Sequence, residues 1–87
     1  MEIVKNASAG TMESSDVYVE IEPGTAGVQV ELESVVQLQF GDAIESVVRQ
    51  VLNENGVTSA TVRVHDRGAL ECVIRARVET AVLRGKE

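Results

Sequence analysis

Two adjacent serines stand between two acids in AGTMESSDVYVEIEP, which covers residues 9–23. A serine hydroxyl acts as a nucleophile when a neighbouring base takes its proton or when its pKa is lowered. Glu13 and Asp16 flank the serines, and the stretch contains no histidine, lysine or arginine. We therefore expect Ser14 and Ser15 to be acted upon by another protein rather than to perform chemistry themselves.

The other residues whose side chains could take part in catalysis or metal binding are a single histidine and a single cysteine. His65 falls on the solvated side of a predicted strand, so we expect it to be exposed or packed at an edge. Cys72 lies away from the centre of a helical apolar stripe, so we expect it to pack at the margin of that stripe. A metal site needs several converging ligands, and no phosphate-binding glycine loop or hydrolase motif is present. The sequence predicts neither a metal site nor catalytic residues.

Arg77 is the charge with the least expected position. Helical spacing places it within the apolar stripe that contains Leu70, Ile74 and Ala81. An arginine there must extend to an edge or pair with an acid. We interpret Arg77 as one half of an ion pair that braces a helix against the sheet, with a binding role as the alternative.

The composition predicts one small domain over residues 1–87, with a core of Val, Ile, Leu and Ala because only Tyr18 and Phe40 are aromatic. A net charge of −6 disfavours nucleic acids and anionic membrane surfaces. No apolar run approaches the roughly 18 residues that a membrane span needs. The N-terminus lacks the apolar core of a secretory leader. We expect a cytoplasmic protein without nucleic-acid or membrane partners.

Three stretches alternate apolar and polar residues in the manner of half-buried strands, at residues 17–22, 28–33 and 60–65. The first two are separated by the turn-forming run PGTAG at residues 23–27. Two strands joined by a short glycine-bearing loop predict a β-hairpin. Residues 1–10 are expected either to stay loose or to add a short extra strand.

Two further stretches have helical periodicity. The first stripe contains Val36, Phe40, Ala43, Ile44, Val47, Val48 and Val51, and the second contains Leu70, Val73, Ile74, Val78 and Ala81. Gly41 suggests that the first helix begins properly after it, and Asn55-Gly56 suggests where it ends. The order β-β-α-β-α predicts an α+β fold, a two-layer α/β sandwich with a small mixed sheet and two helices on one face. The strand, helix and strand at its centre predict a right-handed parallel crossover.

Three blocks of the chain, ASAGTMESSDVYVEIEP, VQLQFGDAIESVVRQVL and DRGALECVIRARVETA, together resemble the citrate lyase acyl carrier protein family, the gamma subunit of that enzyme. The similarity covers nearly the whole chain in the same order. The family implies a phosphoribosyl dephospho-coenzyme A group, 2'-(5''-phosphoribosyl)-3'-dephospho-CoA, joined to a serine through a phosphodiester. The matching residue is Ser14, since related malonate decarboxylase carriers have Ser-Gly-Asp where this chain has Ser14-Ser15-Asp16.

The resemblance also implies the partners of the chain. These are an alpha subunit that exchanges acetate for citrate on the thiol, a beta subunit that cleaves the citryl thioester, and the transferase that installs the group. The chain itself would carry acetyl and citryl thioesters without making bonds.

Three alternatives remain open from the sequence. The chain could be a protein interaction module with Ser14 unmodified, or a carrier for a related decarboxylase. A small enzyme that uses His65 with Glu71 or Asp66 is the third.

Overall fold

The computed structural model describes residues 2–34 and 37–86, of which residues 37–40 by their backbone alone. The elements in chain order are β1 (Ala7–Gly10), β2 (Val17–Pro23), β3 (Val28–Ser34), α1 (Gln37–Glu54), β4 (Ala60–Asp66) and α2 (Glu71–Gly85). They form a four-stranded mixed sheet with two helices on one face, which confirms the predicted α+β class. Three strands precede α1, so the predicted order β-β-α-β-α is wrong by the extra strand β1.

The strands lie in the order β1-β2-β4-β3. β1 and β4 both pair antiparallel with β2, and β3 pairs parallel with β4. The parallel pairing of β3 with β4 through α1 is as predicted. The predicted hairpin of β2 and β3 is wrong, because β4 lies between these two strands. The neighbour of β3 in the sheet is β4, whereas the predicted hairpin would have placed β2 beside β3.

The core lies between the helices and one face of the sheet. The two central strands alternate along their length, and Val17, Val19, Ile21, Val62 and Val64 are almost fully buried against the helices. Burial of one such side chain stabilises the fold by about 1.5–3 kcal/mol. The helices contribute buried residues to the same layer: Ile44, Val48, Val51, Leu52, Ile74, Val78, Ala81 and Val82.

The opposite face of the sheet is open and charged. Arg63 lies 3.2 Å from Glu22 and 3.8 Å from Glu31, and His65 lies 3.2 Å from Glu20. The alternation within each strand therefore separates an apolar face from a charged face, as the sequence predicts.

The ends of the helices differ in part from the predictions. α1 begins at Gln37, so the predicted start after Gly41 is wrong. It ends at Glu54, just before the Asn55-Gly56 pair that predicted its end, and Gly56 has a left-handed φ of 70°. Leu70 is 71% exposed, so its predicted place on the buried stripe is wrong. Leu70 precedes the first turn of α2 in an extended conformation, and helical spacing therefore does not apply to it. Val36 and the side chain of Phe40 lie outside the described residues.

No helix in the described part of the chain combines the length and apolarity that a membrane crossing requires.

Candidate functional site

Residues 11–16 connect β1 to β2, and we call this segment the Ser14 loop. It begins after Gly10, whose φ of 95° belongs to the left-handed region that favours glycine. A Cβ atom at Gly10 would lie 1.8 Å from the carbonyl oxygen of Val17. The residue that opens the turn between the two strands must therefore lack a side chain.

The backbone of the Ser14 loop is tied to the end of β4. The Ser15 amide donates to the carbonyl of Arg67 at 2.8 Å, and the Arg67 amide donates to the carbonyl of Asp16 at 2.9 Å. Within the loop, the Asp16 amide donates to the carbonyl of Glu13 at 3.2 Å. Ser15 has a φ of 64°. A non-glycine residue in this region costs on the order of 1–3 kcal/mol, so the surrounding hydrogen bonds must hold it there.

The Asp16 carboxylate binds groups from three parts of the fold. It accepts hydrogen bonds from the Thr11 hydroxyl at 2.7 Å and from the Val17 amide at 2.7 Å. The Arg77 guanidinium of α2 donates to both carboxylate oxygens, at 3.2 Å and 3.1 Å. These contacts hold the pKa of Asp16 at about 2, below its ordinary value of 3.8, with the Thr11 hydroxyl as the largest cause, then the Val17 amide and Arg77.

Ser14 is exposed on this loop, as is Ser15. Within residues 2–34 and 37–86, no hydrogen bond or ion pair involves the Ser14 side chain. Its hydroxyl is therefore not hydrogen-bonded to a base that could take its proton, while hydrogen bonds hold the loop around it. This arrangement suits a hydroxyl that an external enzyme approaches.

The structure does not bring together the residues of a small independent enzyme. His65 faces Glu20 at 3.2 Å and Glu33 at 3.6 Å on the open face. The Asp66 carboxylate is buried and accepts hydrogen bonds from the Ser34 hydroxyl at 2.7 Å and the Ala69 amide at 3.0 Å. Successive strand residues point to opposite faces, so His65 has neither Asp66 nor Glu71 beside it.

Cys72 is exposed on the first turn of α2, so its predicted packing at the margin of the stripe is wrong. No cluster of three potential metal ligands occurs in the described ranges.

A groove of about 320 Å³ opens on the helix side of the β4–α2 connection. Its walls are largely apolar, and its lining residues come from α1, the connection and α2: Ala43, Ile44, Val47, Asp66, Gly68, Ala69, Glu71 and Ile74. The sequence does not predict this groove.

Arg77 pairs with an acid, as interpreted from the sequence, but the sequence did not identify Asp16 as that acid. Thr11 was missed altogether. The signal for Arg77 was a charge at a helical position surrounded by apolar residues. No local pattern could connect it to a loop at the other end of the chain.

The family model and the related proteins that match this chain are all described as acyl carrier proteins. The family described as "ACP: Malonate decarboxylase delta subunit (MdcD)" matches residues 4–85. The "Citrate lyase acyl carrier protein" of Escherichia fergusonii is 57% identical over all of this chain and 91% of its own length. The protein of the same name from Klebsiella pneumoniae is 54% identical over the same shares, and "Citrate lyase acyl carrier protein 2" of Salmonella typhimurium is 56% identical.

Two solved structures have a similar fold. One is in the crystal structure of a Pseudomonas malonate decarboxylase hetero-tetramer in complex with malonate, with a TM-score of 0.80 and 22% identity. The match covers 92% of this chain and 82% of that one. The other is a protein of Thermus thermophilus, with a TM-score of 0.69 and 13% identity over 97% of this chain and 16% of that one. At these identities the likeness concerns the fold alone.

Proposed function

The chain belongs to the citrate lyase acyl carrier protein family, and from this membership we propose that it is the acyl carrier subunit of a citrate lyase, with its prosthetic group attached at Ser14. Acyl carrier proteins of this family are carrier subunits without catalytic activity of their own. The chemistry of the complex therefore belongs to the attached group and to the other subunits.

The observation that carries the proposal is the exposed Ser14 on a loop held at both ends. Attachment of a phosphoribosyl group requires the Ser14 oxygen to form a bond to the phosphorus of an activated phosphoribosyl donor. The leaving group of the donor departs with the electrons of the broken P–O bond, and the serine proton passes to a base of the transferase. The carrier has to supply an accessible hydroxyl in a fixed place, and the loop offers both.

We propose 2'-(5''-phosphoribosyl)-3'-dephospho-CoA as the attached group. Ser14 provides the oxygen of a phosphodiester, and its exposure leaves room for a long substituent without displacing the core. When bound, the group supplies a terminal thiol that holds acetyl or citryl as a thioester. A flexible tether of this kind raises the local concentration of the acyl group at each partner.

The partners that we propose are an alpha subunit acting as acyltransferase, a beta subunit acting as lyase, and the transferase that attaches the group. Together the subunits would convert citrate to acetate and oxaloacetate. We assign this assembly to the cytoplasm, where the single exposed cysteine would remain reduced.

Expression of the chain with its prosthetic-group transferase, followed by intact-mass measurement, tests the proposal. We expect one adduct on the wild-type protein, the same adduct on Ser15→Ala, and none on Ser14→Ala. An adduct on Ser14→Ala and none on Ser15→Ala would move the site to Ser15. A wild-type chain that stays unmodified beside an active transferase would contradict the carrier function and favour an interaction module.

A second candidate is the carrier of a malonate decarboxylase, which the family description favours. The two candidates differ in the acid that replaces acetate on the thiol. The acetylated carrier is mixed with citrate lyase alpha subunit and citrate, or with the corresponding decarboxylase subunit and malonate. Formation of the citryl form alone supports the first candidate, and formation of the malonyl form alone supports the second.

A further inference from the structure

We propose that Arg77 is a positioning residue for the modification of Ser14, acting through Asp16 on the Ser14 loop. This inference rests on the proposed function, because it concerns the rate at which the transferase uses Ser14. Arg77 itself is expected to contact neither the donor nor the reacting oxygen.

Arg77 leaves the buried side of α2 and turns towards the loop. Its neighbours on the helix, Ile74 and Val78, are buried, whereas the Arg77 side chain is 41% exposed. The side chain passes close to Gly10, where an added Cβ would lie 3.3 Å from its Cδ atom. The glycine that opens the turn therefore also leaves room for the arginine to reach the loop.

The contact between Arg77 and Asp16 has the two-point geometry of a guanidinium and a carboxylate. Nε and one terminal nitrogen of Arg77 approach the two oxygens of Asp16 at 3.2 Å and 3.1 Å. A fork of this kind fixes the orientation of the carboxylate as well as its position. Lysine carries the same charge but cannot reproduce two parallel hydrogen bonds.

The hydrogen bonds of Asp16 help to hold the backbone on both sides of Ser14. Its carboxylate accepts the Thr11 hydroxyl, and the Thr11 oxygen in turn accepts the amide of Glu13 at 3.2 Å. The amide of Asp16 also donates to the carbonyl of Glu13, and the amide of Ser15 is held by the end of β4. The residues before and after Ser14 are thus fixed, whereas the Ser14 side chain is free.

This arrangement affects transfer because the serine oxygen must meet a phosphorus atom inside another protein. A misplacement of about 1 Å can cost on the order of a hundredfold in rate. A loop that is ordered before the encounter avoids this loss. A partly exposed ion pair contributes little to global stability, so the effects of Arg77 on positioning and on folding can be measured separately.

The experiment compares Arg77→Met, Arg77→Lys and a matched control, Arg75→Met. Methionine keeps an apolar stem on the helix and removes the hydrogen bonds. Arg75 belongs to the same helix and pairs with Glu54 at 2.6 Å, on the side of α1 and away from the Ser14 loop. Initial rates of adduct formation are measured by intact mass over a series of apo-carrier concentrations.

We expect Arg77→Met to lower kcat/KM for attachment by about tenfold or more, within the range that misplacement can cause. Arg77→Lys should recover part of that loss, and Arg75→Met should match the wild type. Amide hydrogen exchange at Glu13 and Ser15 should be faster in Arg77→Met and unchanged in Arg75→Met.

Equal kcat/KM values for the wild type and Arg77→Met, at a measurable wild-type rate, would overturn the positioning role. A similar loss in Arg75→Met would also overturn it, because the effect would then belong to the helix as a whole. If Arg77→Met fails to fold, Arg77→Lys is the deciding variant. Its kcat/KM for attachment must then be lower than that of the wild type, and an equal value would overturn the positioning role. An unmodified wild-type chain would instead contradict the carrier function, and the exchange rates would still report on the loop.

Discussion

The two loops that flank β2 hold their conformations in different ways. The Ser14 loop before β2 has backbone hydrogen bonds to the end of β4 and is held in addition by side chains, through the carboxylate of Asp16 and its bonds to Thr11 and Arg77. The loop after β2, residues 24–27, is held by the backbone, since the Ala60 amide donates to the carbonyl of Gly27 at 3.2 Å. A Cβ at Gly24 would lie 2.8 Å from the backbone nitrogen of Ala60.

The difference follows from what each loop does in the fold. Residues 24–27 carry the chain past β4, from one of its neighbours to the other, and they lie close against the start of that strand. The Ser14 loop joins two strands that are already adjacent, so its tip is free to face solvent. Side-chain bonds from its base and from α2 can fix such a tip without covering it.

The largest effect is expected at Gly10, and Gly27 is its counterpart in the other loop. Both have positive φ, at 95° and 84°, but a Cβ at Gly27 would have nothing within 4 Å. Gly10→Ala should reduce the free energy of unfolding by roughly 3 kcal/mol or more, and Gly27→Ala by about 1 kcal/mol. Both substitutions strain the backbone, but only Gly10→Ala also places a Cβ atom against another backbone atom. Denaturant unfolding measures both. Equal losses would remove the distinction between the loops.

An intermediate effect is expected from protonation of Asp16. Its folded-state pKa of about 2 lies below the ordinary 3.8, so it contributes stability that is present above about pH 4 and lost as the pH falls towards 2. The thermal midpoint of the wild type should therefore exceed that of Asp16→Asn near neutral pH, and the gap should narrow between about pH 4 and pH 2.

Scans of both proteins in matched buffers across that range measure the gap. A gap that stays constant down to about pH 2 would mean that the carboxylate charge does not hold the Ser14 loop.

The smallest effect is expected at the tip of the Ser14 loop. Ser14→Ala should change the free energy of unfolding by less than about 0.5 kcal/mol, as for other exposed positions without specific contacts. The buried Val48 serves for comparison, and Val48→Ala should lower the free energy of unfolding by about 1–3 kcal/mol through lost packing. A comparable loss at Ser14 would show that its side chain supports the fold.

The sequence predicted the elements of the fold better than their arrangement. Alternation identifies which residues of a strand face the core, and Val17 and Val62 are buried as predicted. Alternation does not specify which strand lies beside which, because a two-residue period is the same for every neighbour. The hairpin prediction failed for this reason: residues 24–27 can turn between adjacent strands or pass across a third one.

The site was predictable in part for similar reasons. The sequence predicted that another protein acts on Ser14, which requires an accessible side chain, and Ser14 is exposed. The carboxylate that Arg77 binds lies 61 residues earlier in the chain. Only the assembled sheet and helix bring them together. The role of Ser14 as the attachment residue stays a prediction.

Fragmentation mass spectrometry of the tryptic peptide Asn6–Arg49, from carrier isolated with its lyase complex, determines whether Ser14 bears the prosthetic group. Backbone fragments that divide Ser14 from Ser15 show which residue bears the added mass. We predict that the mass of the phosphoribosyl dephospho-coenzyme A group begins with fragments that include Ser14. A shift that begins only at Ser15 or at Thr11, or an unshifted peptide from an active complex, would rule out attachment at Ser14.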